Sequence, residues 1–433
     1  MSMLRIQGGK PLVGDLEVAG SKNSALAVLS SVVLCDGPVM LHNVPHVSDI
    51  ETKCQLLRMF GAQVDWVEGS LVVDATPLSF AEPDAELVRK IRTSFYLLGP
   101  LLARLGYCRI PAPGGCRIGA RPVDFHLKGL RTLGAEIDLE GGVYTARCDQ
   151  LRGAEIYLDF PSAGATQHLM ATAVLAEGIT TLQNVAVEPE VVALAEFLNR
   201  LGARIEGAGT GTIYIHGVSR LEPNEYRIPA DRLQAGTFLL AGAITGGDVC
   251  VKGLVPENQT PVVNKLREAG AFVQEGHDFV RVSSVGRLDA IQIKTMPYPG
   301  FPTDMQQPMA AVLALANGVS VIDETIYESR IGHIAELNRM GAKIQLQGRV
   351  ASITGVDRLR GASVEASDLR AGAALVLAGL AAEGTTTVRN VHFIDRGYED
   401  LENTLNGLGG NVVRLDANGR PVLSGAAQVR AER

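Results

Sequence analysis

The segment PAPGGCRIGARP, from Pro111 to Pro122, holds the most reactive set of side chains in the sequence: one thiol, Cys116, followed closely by Arg117 and Arg121. Neighbouring cations favour the thiolate, so Cys116 is expected to act as a proton donor or nucleophile near neutral pH. The glycines and alanines around it predict a lid over about residues 111–122 rather than a packed core segment. The other five cysteines, Cys35, Cys54, Cys108, Cys148 and Cys250, form no CxxC pair and no Cys/His cluster. They are expected to be inert buried thiols. Neither a disulfide framework nor a zinc site is indicated, and reduced thiols fit a cytoplasmic protein.

A second group of candidates stands where apolar helices begin. These starts read SKNS (21–24), IRTS (91–94), PSAGAT (161–166), ADRLQAGT (230–237), PTDMQQP (302–308) and SDLRAG (367–372). A helix N-terminus carries unpaired amides and partial positive charge, which suits phosphate or carboxylate. Lys22, Arg92, Arg232 and Arg370 gain nothing from that dipole, so their recurrence predicts a shared anion. Asp304 has two readings here, a carboxylate aimed at a ligand or a favoured helix cap.

Six starts imply six repeats, and the sequence contains them. LLRMFGAQV, GLRTLGAEI, FLNRLGARI, KLREAGAFV, ELNRMGAKI and TLNGLGGNV place a turn glycine at Gly61, Gly134, Gly202, Gly270, Gly341 and Gly409, spaced 68 to 73 residues apart. Each copy reads as a helix closed by a left-handed glycine and followed by a strand. Upstream of each lies a helix, such as SALAVLSSVVL or AGAALVLAGLAA, that is apolar on nearly every side and ends in a second glycine turn, at Gly37, Gly106, Gly178, Gly247, Gly318 and Gly384. All-round apolarity predicts complete burial. The expected architecture is α/β, with two domains of three units each, helices inside and sheets outside.

Composition restricts the ligands. At 433 residues and 46% hydrophobic the chain can build large cores, and its net charge of −7 offers no broad basic field for a nucleic-acid backbone. Anions must be held locally. No apolar run reaches the roughly 18 residues of a membrane span, and the MSMLRIQGGK start lacks a signal-peptide core.

The run PGGCRIGARPVDFH (113–126) resembles the lid motif of the UDP-N-acetylglucosamine 1-carboxyvinyltransferase family. SKNSAL is similar to that family's phosphate-binding start, FPTDMQ to its catalytic aspartate segment and HFIDRGYE (392–399) to its C-terminal arginine motif. These segments occur in family order along the whole chain. The resemblance implies two inside-out α/β barrels, each of three βαβαββ repeats, the EPSP synthase-like fold. It implies one domain at 22–229 and a discontinuous second at 1–21 plus 230–433, with the active site in the cleft between them.

The resemblance also implies the chemistry: enolpyruvyl transfer from phosphoenolpyruvate to the 3'-hydroxyl of UDP-N-acetylglucosamine by addition and elimination, in peptidoglycan synthesis, with no cofactor and no metal. By it, Cys116 protonates C3, and Asp304 takes the hydroxyl proton. Lys22, Arg121 and Arg396 cage the phosphate, while Arg330 and Arg370 lie near the carboxylate and reacting centre. Arg92 orients the loop and the diphosphate. Asn23, Asp304 and Glu328 contact the sugar, Ile326 is a further substrate-binding residue, and the Ser162-Ala163-Gly164 turn contacts the diphosphate. Pro122, Val123, Asp124 and Phe125 are further substrate-binding residues, and His126 helps hold the nucleotide side, though it reads almost as well as a surface residue. Phe160 stands where some family members carry a lysine. The shikimate-pathway transferase shares the fold but lacks the cysteine lid, and a noncatalytic UDP-sugar binder is the other reading kept open.

Overall fold

Helices that are apolar on every side persist only where other elements cover them. The structure, a computed structural model, describes residues 2–114 and 123–422. These fall into two compact units. One holds residues 20–114 and 123–229, the other 2–19 and 230–422, and each has its own hydrophobic core. In the first unit the inner helices are Lys22–Ser31, Leu98–Leu105 and Ala163–Ala173. In the second they are Arg232–Ile244, Thr303–Leu313 and Leu369–Ala381. Burial of Leu233 through Ile244 without a break shows how completely such a helix is enclosed.

Three sheets surround the helices of each unit, as an inside-out α/β barrel requires. Their strands alternate buried and exposed positions, with one face on the helices and one in solvent. A typical repeat runs from the short strand Glu155–Tyr157 through the helix Ala163–Ala173 to the parallel strand Ile179–Gln183. The strands Arg204–Glu206 and Thr212–His216 then complete the sheet antiparallel. The repeat holding Thr303–Leu313 has the same order.

Two short first strands are exchanged between repeats. Val13–Glu17 precedes the helix Lys22–Ser31 in the chain but pairs parallel with Asp248–Lys252. Glu225–Arg227 precedes Arg232–Ile244 but pairs parallel with Pro38–His42. Met3–Gln7 also lies between Thr385–Arg389 and Val412–Leu415, completing the last repeat from the chain's beginning. The N-terminal segment therefore supplies two strands to the unit that continues at residue 230.

The repeat turns have a common lock. Gly61, Gly134, Gly202, Gly270, Gly341 and Gly409 all take φ between 90° and 102°, which a side chain would disfavour. Three residues before each glycine, an Arg or Asn side chain donates to the carbonyl of the strand that follows, as Arg58 does to Val64 at 2.7 Å. Arg131, Asn199, Arg267, Asn338 and Asn406 repeat the bond. The upstream series has one correction: Gly246, at φ 63°, takes the left-handed turn instead of Gly247. A Cβ on Gly247 would lie 2.0 Å from the Leu12 carbonyl oxygen, so close packing explains that glycine.

The second repeat departs from the pattern. Its sheet has three strands among the described residues, and IRTS opens a 3-10 helix, Arg92–Leu97, rather than a regular helix. Pro100 has no N–H to give to the carbonyl four residues earlier, so α-helical bonding cannot continue unbroken through that start. Among the described residues, no helix is long and apolar enough to cross a membrane.

Candidate active site

In the second unit two inner-helix starts and a loop arginine meet at one carboxylate. Pro302 occupies the cap position of Thr303–Leu313, so Asp304 is not the helix cap. Its Oδ1 lies 2.7 Å from Arg330 Nη1, and its Oδ2 lies 3.3 Å from both Nε and Nη2 of Arg370. The two arginine side chains are 5% and 3% exposed, whereas that of Asp304 is 26% exposed. Thus the cations are fixed in protein and the carboxylate reaches solvent.

Further bonds hold both cations. Arg370 Nη1 donates to the Tyr398 hydroxyl at 3.0 Å, which bonds Thr237 Oγ1 at 2.8 Å, and Thr237 donates to the Leu233 carbonyl. Burial works against the charge on Arg370, but Tyr398, Asp304 and Asp231 outweigh it and raise its pKa above the usual guanidinium value. Arg330 Nη1 donates to Thr303 Oγ1 at 2.9 Å, and Thr303 donates to Glu324 Oε2 at 2.8 Å. Glu324 also accepts from the backbone N–H groups of Ile326 and Tyr327, which fixes the turn carrying Ile326 and exposed Glu328. Arg396 ends the 3-10 helix Val391–Arg396 and is half-buried. Arg232 lies over the Tyr298 ring, 5.3 Å from its centroid.

His333 lies beneath this cluster, fully buried, with burial and Arg330 pushing its pKa down to about 4 against the opposing pull of Asp368. The unfolded chain takes up a proton near pH 6.5 while the folded protein does not, so stability falls as pH drops from about 6.5 toward 4. The full loss is about 3 kcal/mol. Urea midpoints measured across that window should decline less steeply in His333→Leu than in the parent protein.

In the first unit Lys22 opens the helix Lys22–Ser31, and its Nζ lies 3.2 Å from Asp49 Oδ2 on the neighbouring helix Ser48–Met59. Ser21 caps the helix, and Asn23 is half-buried beside it. Arg92 is half-buried at the head of its 3-10 helix. Ser162 caps Ala163–Ala173 by accepting from the Ala165 N–H, with Ala163 half-buried at the first helical position. A Cβ on Gly164 would stand 2.2 Å from the Tyr96 hydroxyl, so a side chain there would have to displace the tyrosine ring. Phe160 is 42% exposed.

His126 is not a surface residue. It is buried, with Nδ1 at 2.9 Å from Nδ1 of His168. His168 Nε2 accepts from the Gly99 N–H; its Nδ1 therefore carries the proton and donates to His126. Burial, then His126 and Lys53, holds the His168 pKa well below the usual imidazole value. Val123 and Phe125 are half-buried, and Asp124 is exposed at the first position of Asp124–Thr132.

Cys116, Arg117, Arg121 and Pro122 lie outside the described residues. Of the other thiols, Cys35, Cys54, Cys108 and Cys250 are buried, but Cys148 is half-exposed. Burial pushes the Cys35 pKa up to about 11 and that of Cys54 up to about 12. The structure thus brings Asp304, Arg330 and Arg370 into contact. It adds partners that sequence reasoning missed: Asp49, Glu324, His333 and Lys53, and Tyr398, which lay within a quoted motif without a role.

Known proteins resemble this chain over nearly its whole length. The signature of the EPSP synthase (3-phosphoshikimate 1-carboxyvinyltransferase) family matches residues 6–405. UDP-N-acetylglucosamine 1-carboxyvinyltransferase 3 of Caldanaerobacter subterraneus subsp. tengcongensis is 49% identical over 415 residues, covering 96% of this chain and 100% of that protein. The Nostoc sp. UDP-N-acetylglucosamine 1-carboxyvinyltransferase is 46% identical over 419 residues, covering 96% and 94%. Among solved structures, the enolpyruvyl transferase NikO from Streptomyces tendae matches with a TM-score of 0.87 at 28% identity, covering 96% of this chain and 99% of that one. EPSP synthase from Acinetobacter baumannii matches in fold, with a TM-score of 0.76 at 20% identity, covering 96% and 100%. Near-complete coverage at almost half identity makes this chain a member of the enolpyruvyl transferases and, within them, of the UDP-N-acetylglucosamine 1-carboxyvinyltransferase family.

Proposed function

We propose that the protein transfers the enolpyruvyl group of phosphoenolpyruvate to the 3'-hydroxyl of UDP-N-acetylglucosamine and releases inorganic phosphate, in the cytoplasm, as a step of peptidoglycan synthesis. The observation that carries the reading is Asp304, a partly exposed carboxylate held by two nearly fully buried arginines. A base fixed in that way needs no reorganisation when it takes a proton, and the adjacent guanidinium groups stabilise developing negative charge.

The sugar hydroxyl attacks C2 of phosphoenolpyruvate as Asp304 removes its proton. Cys116 delivers a proton to C3, which gives a tetrahedral ketal. Loss of a proton from C3 then expels phosphate and restores the double bond. Lys22, Arg121 and Arg396 hold the phosphate, and Arg330 and Arg370 hold the carboxylate and the reacting centre. Arg92 and the Ser162-Ala163-Gly164 helix start take the diphosphate, the latter through main-chain N–H groups. Asn23 and Glu328 take the sugar, His126 helps hold the nucleotide side, and Ile326, Pro122, Val123, Asp124 and Phe125 are further substrate-binding residues. Residues 22–229 act as one domain and 1–21 with 230–433 as the other.

Purified protein mixed with phosphoenolpyruvate and UDP-N-acetylglucosamine is expected to release phosphate, and neither substrate alone should suffice. Phosphate release with shikimate 3-phosphate in place of the UDP-sugar would move the protein to the shikimate-type reaction. Binding of the UDP-sugar without release would make it a noncatalytic binder.

A further inference from the structure

Lys53 is a lysine with no exposed surface at all. It lies four residues after Asp49 on the helix Ser48–Met59, so the two share one helix face. Asp49 meets Lys22 there. Lys53 Nζ reaches two other elements instead, Ser30 Oγ at 2.8 Å on the helix Lys22–Ser31 and the Thr93 carbonyl oxygen at 2.5 Å. Ser30 donates its own proton to the Leu26 carbonyl, so it can only accept from Lys53. Burial pushes the lysine pKa down to about 7, and a neutral amine has two N–H groups for these two acceptors. The titratable groups that interact with it are Cys54 on the same helix and His168 on Ala163–Ala173. Burial keeps the Cys54 thiol and the His168 imidazole uncharged.

Thr93 directly follows Arg92 at the start of the 3-10 helix, and its carbonyl accepts from Lys53. We infer that Lys53 is a positioning residue for Arg92: by holding the Thr93 carbonyl against the helix that also fixes Lys22, it sets where the Arg92 guanidinium meets the UDP-sugar diphosphate. The inference rests on the proposed role of Arg92. Lys53 touches no substrate in this account.

The test is a double-mutant cycle on the full-length protein, read as kcat and as KM for UDP-N-acetylglucosamine. Lys53→Met should raise that KM about tenfold, the scale of one lost positioning bond, with kcat within about twofold of the parent. Arg92→Ala should raise KM at least as much. The double variant should match Arg92→Ala alone, because Lys53 has nothing further to position. Should Lys53→Met fail to fold, Lys53→Gln, which stays polar but stops short of the Thr93 carbonyl, carries the same cycle. Independent, multiplying effects would overturn the inference, as would an unchanged KM in the Lys53 variant or in Arg92→Ala. Turnover by the parent protein tests the activity separately, so failure of one reading is distinguishable from failure of the other.

Discussion

Asp304→Asn is expected to lower kcat by about 10²- to 10⁴-fold, the range for loss of a positioned general base. The amide has nearly the same shape, but its single oxygen can accept from only one of Arg330 and Arg370 and its NH2 group faces the other; with the site partly open to solvent the fold should survive. It cannot take a proton from the sugar hydroxyl. Some stability is lost as well, because two buried guanidinium groups lose their carboxylate, but the partial exposure of Asp304 softens that cost. Stopped-time assays of phosphate release, beside a thermal melt and UDP-sugar binding, separate these effects. Parent-like turnover in the variant would remove Asp304 from the reaction.

Lys22 carries two burdens that a pair of substitutions can divide. Its ammonium is proposed to hold the phosphate of phosphoenolpyruvate, and it also lies against the carboxylate of Asp49, whose side chain is 7% exposed. Lys22→Met should therefore lose activity at least 100-fold and lower stability by about 3 kcal/mol, since a buried carboxylate forfeits its ammonium. The double variant Lys22→Met/Asp49→Asn replaces that charge with a neutral amide. It should regain most of the lost stability and none of the activity. Recovery of both would mean that Lys22 matters only to the fold, and recovery of neither would mean that Asp49 is held mainly by other groups.

Local rules explain what was legible beforehand. A left-handed turn needs glycine, so six turn glycines were readable as helix ends, and all-round apolar helices were readable as buried. Gly247 misled because a glycine selected for packing looks the same in sequence as one selected for its backbone angle. The Arg or Asn three residues before each turn was visible in all six copies, but its bond to the next strand becomes evident only in three dimensions. The exchanged strands were hidden because three residues, as in Glu225–Arg227, carry no period from which a partner can be chosen.

The site divided along the same line. Lys22, Asp304 and Arg370 could be singled out because each stands at a helix start. Asp49 could not, since an acidic residue in the first turn of a helix ordinarily just complements the dipole. Lys53 and His333 look like surface residues in a polar helix pattern, and only packing reveals that they are enclosed.

The most direct test of enolpyruvyl transfer by addition and elimination is the reaction in D2O, followed by mass spectrometry and proton NMR of the UDP-sugar product. Protonation of C3 in D2O makes a CH2D methyl group, and because the methyl rotates, later loss of one of its two protium atoms leaves solvent deuterium in the vinyl methylene, whereas loss of the deuterium itself returns an unlabelled fraction. The account predicts a UDP-N-acetylglucosamine enolpyruvyl ether carrying that deuterium. A product with a wholly unlabelled methylene, or a UDP-sugar that had gained phosphate instead of the enolpyruvyl group, would contradict it.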